Sequence, residues 1–237
     1  MSVAVVVERL GVHFFFDRQN RVVTPALARI RRRGSDAWGI RDVTFSVTGG
    51  EGVALLGASG AGKTTLLRTV AGVFAPDAGR VEVRGRVASL LSIEAGLMET
   101  LTGKENCALL GVLAGLSRRR ARRSLAEVKA RTELGDAFDH PISSYSQGMR
   151  ARLGFAIAEL VEPEILLLDE VHEALDHGFR ALVEERAHTI LRHGGIVIAA
   201  GHDHSLLERL CGRALLLSGS TVAADGDFGR VLRAYLA

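Results

Sequence analysis

Gly57-Ala58-Ser59-Gly60-Ala61-Gly62-Lys63-Thr64 sets glycines ahead of a lysine and a threonine with the spacing G-x-x-x-x-G-K-[ST]. Glycine in these places lets backbone N–H groups turn inward around a phosphate chain. A helix beginning at the lysine adds its partial positive charge. In this pattern Lys63 reaches the β- and γ-phosphates, the Thr64 hydroxyl ligates Mg²⁺, and Thr65 completes the phosphate-binding set. The letters alone would also suit an ordinary Gly-rich turn, but the flanks favour the phosphate loop. Val53-Ala54-Leu55-Leu56 leads in as a buried strand, and Thr65–Val70 leads out as an amphipathic helix.

A second chemical feature closes another apolar run, Ile165-Leu166-Leu167-Leu168, which ends in Asp169-Glu170. A buried strand ending this way puts Asp169 at the carboxyl edge of the sheet, where open α/β folds bind their ligands. There Asp169 would hold Mg²⁺, directly or through water, and Glu170 would polarise the attacking water. The competing reading is an acidic helix start, since Val171–Leu175 has a helical pattern. The phosphate loop upstream favours the catalytic one.

The elements that must position these groups follow from the spacing of apolar residues. Val3–Val7 is β-branched and strand-like, and Val43–Val47 alternates as a half-buried strand would. Gly49-Gly50 turns the chain into the phosphate-loop strand, Pro76-Asp77-Ala78-Gly79 reads as a turn, and Val81-Glu82-Val83 alternates again. From about Thr102 to Ala158 the pattern is helical and rich in Leu, Ala and Arg. The strand signal then returns at Ile165–Leu168 and Ile196–Ala200. Strands at both ends around a helical stretch predict an α/β core carrying an inserted helical subdomain.

Composition agrees. The 237 residues are 47% hydrophobic, enough for a sizeable core. The apolar runs fall short of the ~18–20 residues a membrane span needs. Met1-Ser2-Val3 opens without a charged segment, which predicts no signal peptide and a protein kept inside the cell. Cys107 and Cys211 have no metal-ligand spacing, and a net charge of +3 is too small to imply nucleic acid.

Ser144-Tyr145-Ser146-Gln147-Gly148-Met149-Arg150, running on through Arg152-Leu153-Gly154-Phe155-Ala156-Ile157-Ala158, separates the classes of phosphate-loop protein. Here the chain resembles the ATP-binding cassette (ABC) family, whose signature lies at this distance before the Asp-Glu strand. The Y-S-Q-G-M form is similar to a narrower branch, the ATPases that export O-antigen, capsule and teichoic acid. The resemblance implies a single nucleotide-binding domain over 1–237. Its P-loop core would cover about 1–100 and 159–237, its helical subdomain about 101–158, and an antiparallel β region would lie at the N-terminus. It also implies a homodimer in which Ser146 and Gly148 of one copy face the ATP of the other. ATP and Mg²⁺ would be the cofactors and an integral-membrane permease the partner. The place would be the cytoplasmic face of the inner membrane, bound peripherally, with a lipid-linked glycan as cargo and no nucleic acid. His202, after the Ile196–Ala200 strand, matches the family's switch histidine beside Glu170. Asp176 matches the end of its D-loop.

Two elements depart from the family pattern. The Q-loop glutamine is absent from Leu91-Ser92-Ile93-Glu94-Ala95-Gly96, where Ser92 or Glu94 would substitute. The adenine-stacking aromatic is either Trp38 or one of Phe14, Phe15 and Phe16, with Trp38 preferred, because stacking needs only a large π face. Two basic stretches stand apart from the chemistry: Arg18 to Arg33, and Arg118-Arg119-Arg120 with Arg122-Arg123 after the candidate cap Ser117. Each reads as a solvated face or as contact with anionic headgroups or a lipid pyrophosphate; for Arg31, Arg32 and Arg33 the expectation is recruitment of the anionic cargo. Aromatics are not interleaved with either stretch, which disfavours nucleic acid. The alternatives to glycan export are export of another substrate, a non-transport cassette ATPase and a small-molecule kinase. The last leaves the signature and His202 unexplained.

Overall fold

The computed structural model describes residues 2–16, 23–24, 35–90, 96–169 and 177–237. Among them the chain runs β1 (Ala4–Phe16), β2 (Val23–Thr24), β3 (Ser35–Thr48), β4 (Gly52–Leu56), α1 (Lys63–Val70), β5 (Ala78–Arg84), β6 (Val87–Leu90), α2 (Gly103–Leu113) and α3 (Arg118–Thr132). It continues through α4 (Gln147–Glu159), β7 (Ile165–Asp169), α5 (His177–Arg192), β8 (Ile196–Ala200), α6 (His204–Leu210), β9 (Arg213–Ser218), β10 (Thr221–Asp227) and α7 (Phe228–Leu236).

The described strands make two sheets. β2, β1 and β3 pair antiparallel in that order, and β5 pairs antiparallel with β1 on the side opposite β3; the larger sheet runs β10-β9-β4-β8-β7-β6. Its strands are parallel from β9 to β6, and β10 closes the edge antiparallel. Successive side chains of a strand point to opposite faces, so a doubly buried strand reads as a continuous apolar run. Val53 and Leu55 of β4 pack with the small sheet and α1, whereas Ala54 and Leu56 pack with α4, α5, α6 and α7. Here the fold is mixed α/β with an N-terminal antiparallel region, as the sequence predicts.

α2, α3 and α4 share a separate apolar cluster that includes Cys107, Val128, Phe138, Ile142 and Leu153. α4 joins this cluster to the main core by presenting Ala151 and Phe155 to the sheet side. Side-chain caps set the helix starts. Thr102 and Glu105 form a reciprocal capping box at α2, and Ser117 accepts from the Arg120 N–H at α3.

Three local readings need correction. β1 does not stop near Val7 but runs on to Phe16, because register shifts at Arg9 (φ 45°) and beyond absorb the breaks in alternation. The turn expected at 76–79 ends earlier, since Ala78 and Gly79 already belong to β5. Gly79 (φ 71°) is needed there because a Cβ would sit 2.2 Å from the Glu8 carbonyl oxygen. β6 carries no strong strand signal of its own, yet it forms by pairing with β7. Arg31, Arg32 and Arg33, expected to recruit the anionic cargo, lie outside the described residues.

Both cysteines are buried, and burial pushes the Cys107 thiol up to about 11 and the Cys211 thiol up to about 12. At about pH 8 the native protein should therefore resist thiol reagents until it unfolds. Rapid labelling of either cysteine in the folded state would contradict this packing.

Candidate functional site

β4 delivers the chain to the phosphate loop as a rigid strand, with Val53 to Leu56 at 0–1% exposure. Gly57 (φ 146°) then passes so close to β9 that a Cβ would lie 2.4 Å from the Leu217 carbonyl oxygen. Gly62 (φ 105°) is the N-cap of α1, and a Cβ there would lie 2.4 Å from the Gly39 carbonyl oxygen. The loop is thus wedged between β9 and β3. Gly60 (φ 79°) faces open space, the room a bound phosphate would need.

Lys63 opens α1, is 6% exposed, and folds back so that its Nζ donates to the Gly57 (2.7 Å) and Ala58 (3.2 Å) carbonyl oxygens. Ala58, Ser59 and Ala61 line the outer wall of the loop. Thr64 and Thr65 follow Lys63 in the first turn of α1, which has neither a side-chain cap nor an acidic residue. An uncapped first turn beside an ammonium group suits an anion. A cleft of about 430 Å³ adjoins the loop, walled by the β9–β10 hairpin and by Ala234 and Tyr235 of α7.

The parallel register gathers the other groups at the same edge. Leu55 of β4 and Asp169 of β7 both pair with Ala200 of β8. Asp169 is thereby the last residue of its strand, 8% exposed, with β8 leading through Gly201 to the exposed His202. Asp203 shapes that corner by accepting the Leu206 N–H at the start of α6. A carboxylate and the Thr64 hydroxyl would together offer only oxygen donors, the kind Mg²⁺ prefers. Glu170, Asp176, Ser92 and Glu94 lie outside the described residues.

Ser146 and Gly148 stand elsewhere, at the first turn of α4 on the helical layer. Ser146 is its N-cap, accepting from the Met149 N–H at 3.2 Å, and Gly148 is open on its outer side. The sequence motif places them on a helix start, and the structure has that start at α4. The two aromatic candidates also part company. Trp38 is 40% exposed, 4.8 Å from the His13 ring, and flanked by the Arg41 guanidinium. Phe14 is spent on packing, edge-to-face with Phe74 at 5.6 Å. The side chains of Phe15 and Phe16 lie outside the described residues.

Sequence reasoning missed the hairpin contact that steadies the Trp38 strand. Ser220 donates its Oγ proton to the Trp38 carbonyl, and its own carbonyl accepts the Arg41 N–H at 2.7 Å. The only local signal is the Gly219-Ser220 turn, whose partner is 182 residues away.

The ABC transporter family model matches residues 40–173. Among curated proteins, the chain is 37% identical over 203 residues to the O-antigen export system ATP-binding protein RfbB of Klebsiella pneumoniae, covering 86% of this chain and 82% of that one. It is 32% identical over 200 residues to the teichoic acids export ATP-binding protein TagH of Lactococcus lactis, covering 84% of this chain and 43% of that one. Among solved structures, the dimeric post-hydrolysis state of the ATP-binding cassette MJ0796 bound to ADP and Pi superposes with a TM-score of 0.74. The identity there is 20%, with 94% of this chain and 98% of that one covered.

Proposed function

The chain belongs to the ABC transporter family as an ATPase, and from that premise we propose that it hydrolyses ATP to drive a separate membrane permease exporting a lipid-linked polysaccharide. One observation supports the chemistry: the register pairs both Leu55, at the end of the strand leading into the phosphate loop, and Asp169 with Ala200, the residue that leads to His202. The glycan cargo rests on the likeness to the O-antigen and teichoic acid export proteins.

In this reading the loop amides and Lys63 hold the β- and γ-phosphates, and Lys63 exchanges its two carbonyl partners for phosphate oxygens. Thr64 and Asp169 would hold Mg²⁺, which supplies charge neutralisation on the phosphates. Glu170 orients and polarises the attacking water, and His202 contacts the γ-phosphate. Trp38 stacks on the adenine. Ser146 and Gly148 act on the ATP of a second copy, so two chains make two composite sites. Among the described residues no helix is long and apolar enough to cross a membrane, which fits a subunit held at the bilayer through its permease.

The test is Lys63→Ala. ATP hydrolysis by the purified chain should fall at least about a hundredfold, as expected when a preorganised phosphate contact is lost. Cells relying on this variant should make lipid-linked glycan and retain it on the inner side. Normal glycan export would refute the cargo assignment and favour another exported substrate. Normal ATP hydrolysis would refute the site.

A further inference from the structure

The hairpin tip that joins α2 to α3 has no part in the chemistry above. Residues 112–115 and 117–120 are exposed, Leu113 by 72% and Val112 by 36%, so the tip presents apolar side chains to solvent on one shoulder. The two helices meet closely just behind it, where a Cβ on Gly111 would be 3.5 Å from Ala121 Cβ. Next to this apolar shoulder, α3 starts with five arginines in six residues.

Arg120 is committed to Glu162 at 2.6 Å. Arg118, Arg119, Arg122 and Arg123 are exposed, and none of them makes an ion pair among the described residues. Ala121, Val128 and Thr132 face inward, so the four guanidinium groups share the outer face. The arrangement opposes helix stability. Arg118 and Arg122, like Arg119 and Arg123, are like-charge neighbours four apart. All four sit toward the positive end of the helix, whose first turn has no acidic residue, in contrast to Glu105 at α2. A placement that costs helix stability and goes uncompensated within the described fold calls for an anion outside it.

We propose that the α2–α3 tip is a membrane-surface contact, in which Arg118, Arg119, Arg122 and Arg123 engage anionic lipid headgroups while Leu113 and Val112 enter the headgroup–acyl boundary. Adjacent apolar and basic groups are the two signals that together hold a protein on an anionic bilayer. Nucleic acid fits less well, because α2 and α3 contain no aromatic ring on which a base could stack. The contact is independent of what the transporter carries, so its failure would leave the ATPase and export readings unaffected.

The test is flotation of the purified full chain with vesicles of phosphatidylcholine alone or with one-quarter phosphatidylglycerol. The chain should float with the anionic vesicles only, and about 0.5 M NaCl should release it through screening. Each arginine replaced by serine should weaken partitioning about fivefold. The fourfold serine variant should therefore lose more than about a hundredfold, while the fourfold lysine variant retains binding and Leu113→Ser loses part of it. Basal ATP hydrolysis should be unchanged in all three, which also reports folding. Equal flotation with neutral vesicles, no flotation with anionic ones, or unweakened flotation of a folded serine variant would each overturn the proposal. Binding of an acidic permease loop in place of vesicles would do the same.

Discussion

Gly62→Ala should lower nucleotide affinity by about a hundredfold while leaving most of the fold intact, the size of effect a misplacement of roughly 1 Å produces at a catalytic centre. Two penalties combine at this position. An alanine would have to hold φ near 105°, outside the region that side-chain-bearing residues occupy freely. Its Cβ would also meet the Gly39 carbonyl oxygen at 2.4 Å and Ile40 Cγ2 at 2.7 Å. Both contacts are with β3, a strand paired along β1 and anchored by the fully buried Ile40, so the phosphate loop must move instead. That movement would shift Lys63 and the first-turn amides of α1 away from the phosphates. Gly50→Ala is the control. It has φ 89° but nothing within 4 Å of its Cβ, so it meets only the conformational penalty and should leave ATP affinity unchanged. Titration of a fluorescent ATP analogue, with thermal melts alongside, separates the two. Equal affinity of Gly62→Ala and wild type would show that the β3 contact does not set the loop.

Glu170→Gln should keep ATP binding and suppress hydrolysis by about 10²–10⁴, the range typical of a lost general base. The amide keeps the size of the carboxylate but cannot take a proton from water. Under the proposed function Asp169 would still hold Mg²⁺, so binding should survive while the chemical step fails. The trapped ATP should then hold two copies together, and the dimer should be visible by size exclusion with ATP and absent with ADP. His202→Ala should lower turnover more than nucleotide affinity. A Glu170→Gln protein that turns over ATP at the wild-type rate would remove Glu170 from the catalytic role.

Much of the architecture is legible in the chain because it is local. A continuous apolar run such as Val53–Leu56, Ile165–Leu168 or Ile196–Ala200 can be buried on both faces only in the middle of a covered sheet, and all three are found there. Ser117 announces a helix start through hydrogen bonds that span three residues. The phosphate loop is equally local, since its glycines, lysine and threonine act within one turn of chain. Those readings need no knowledge of what lies across the fold.

What the tertiary structure alone decided is whatever depends on partners distant in sequence. Strand register brings Asp169 and Leu55 to the two sides of Ala200, and that pairing is set by the whole parallel sheet rather than by any one segment. β6 exists because β7 offers it hydrogen bonds, and β1 runs on to Phe16 because bulges let a broken pattern keep pairing. Between the aromatics, composition could not distinguish Phe14 from Trp38, as each offers a π face. Packing against Phe74 occupies the one, while the other stays 40% exposed on a strand whose backbone Ser220 holds. Propensity and motif are properties of neighbours in the chain, whereas burial and register are properties of the assembled sheet.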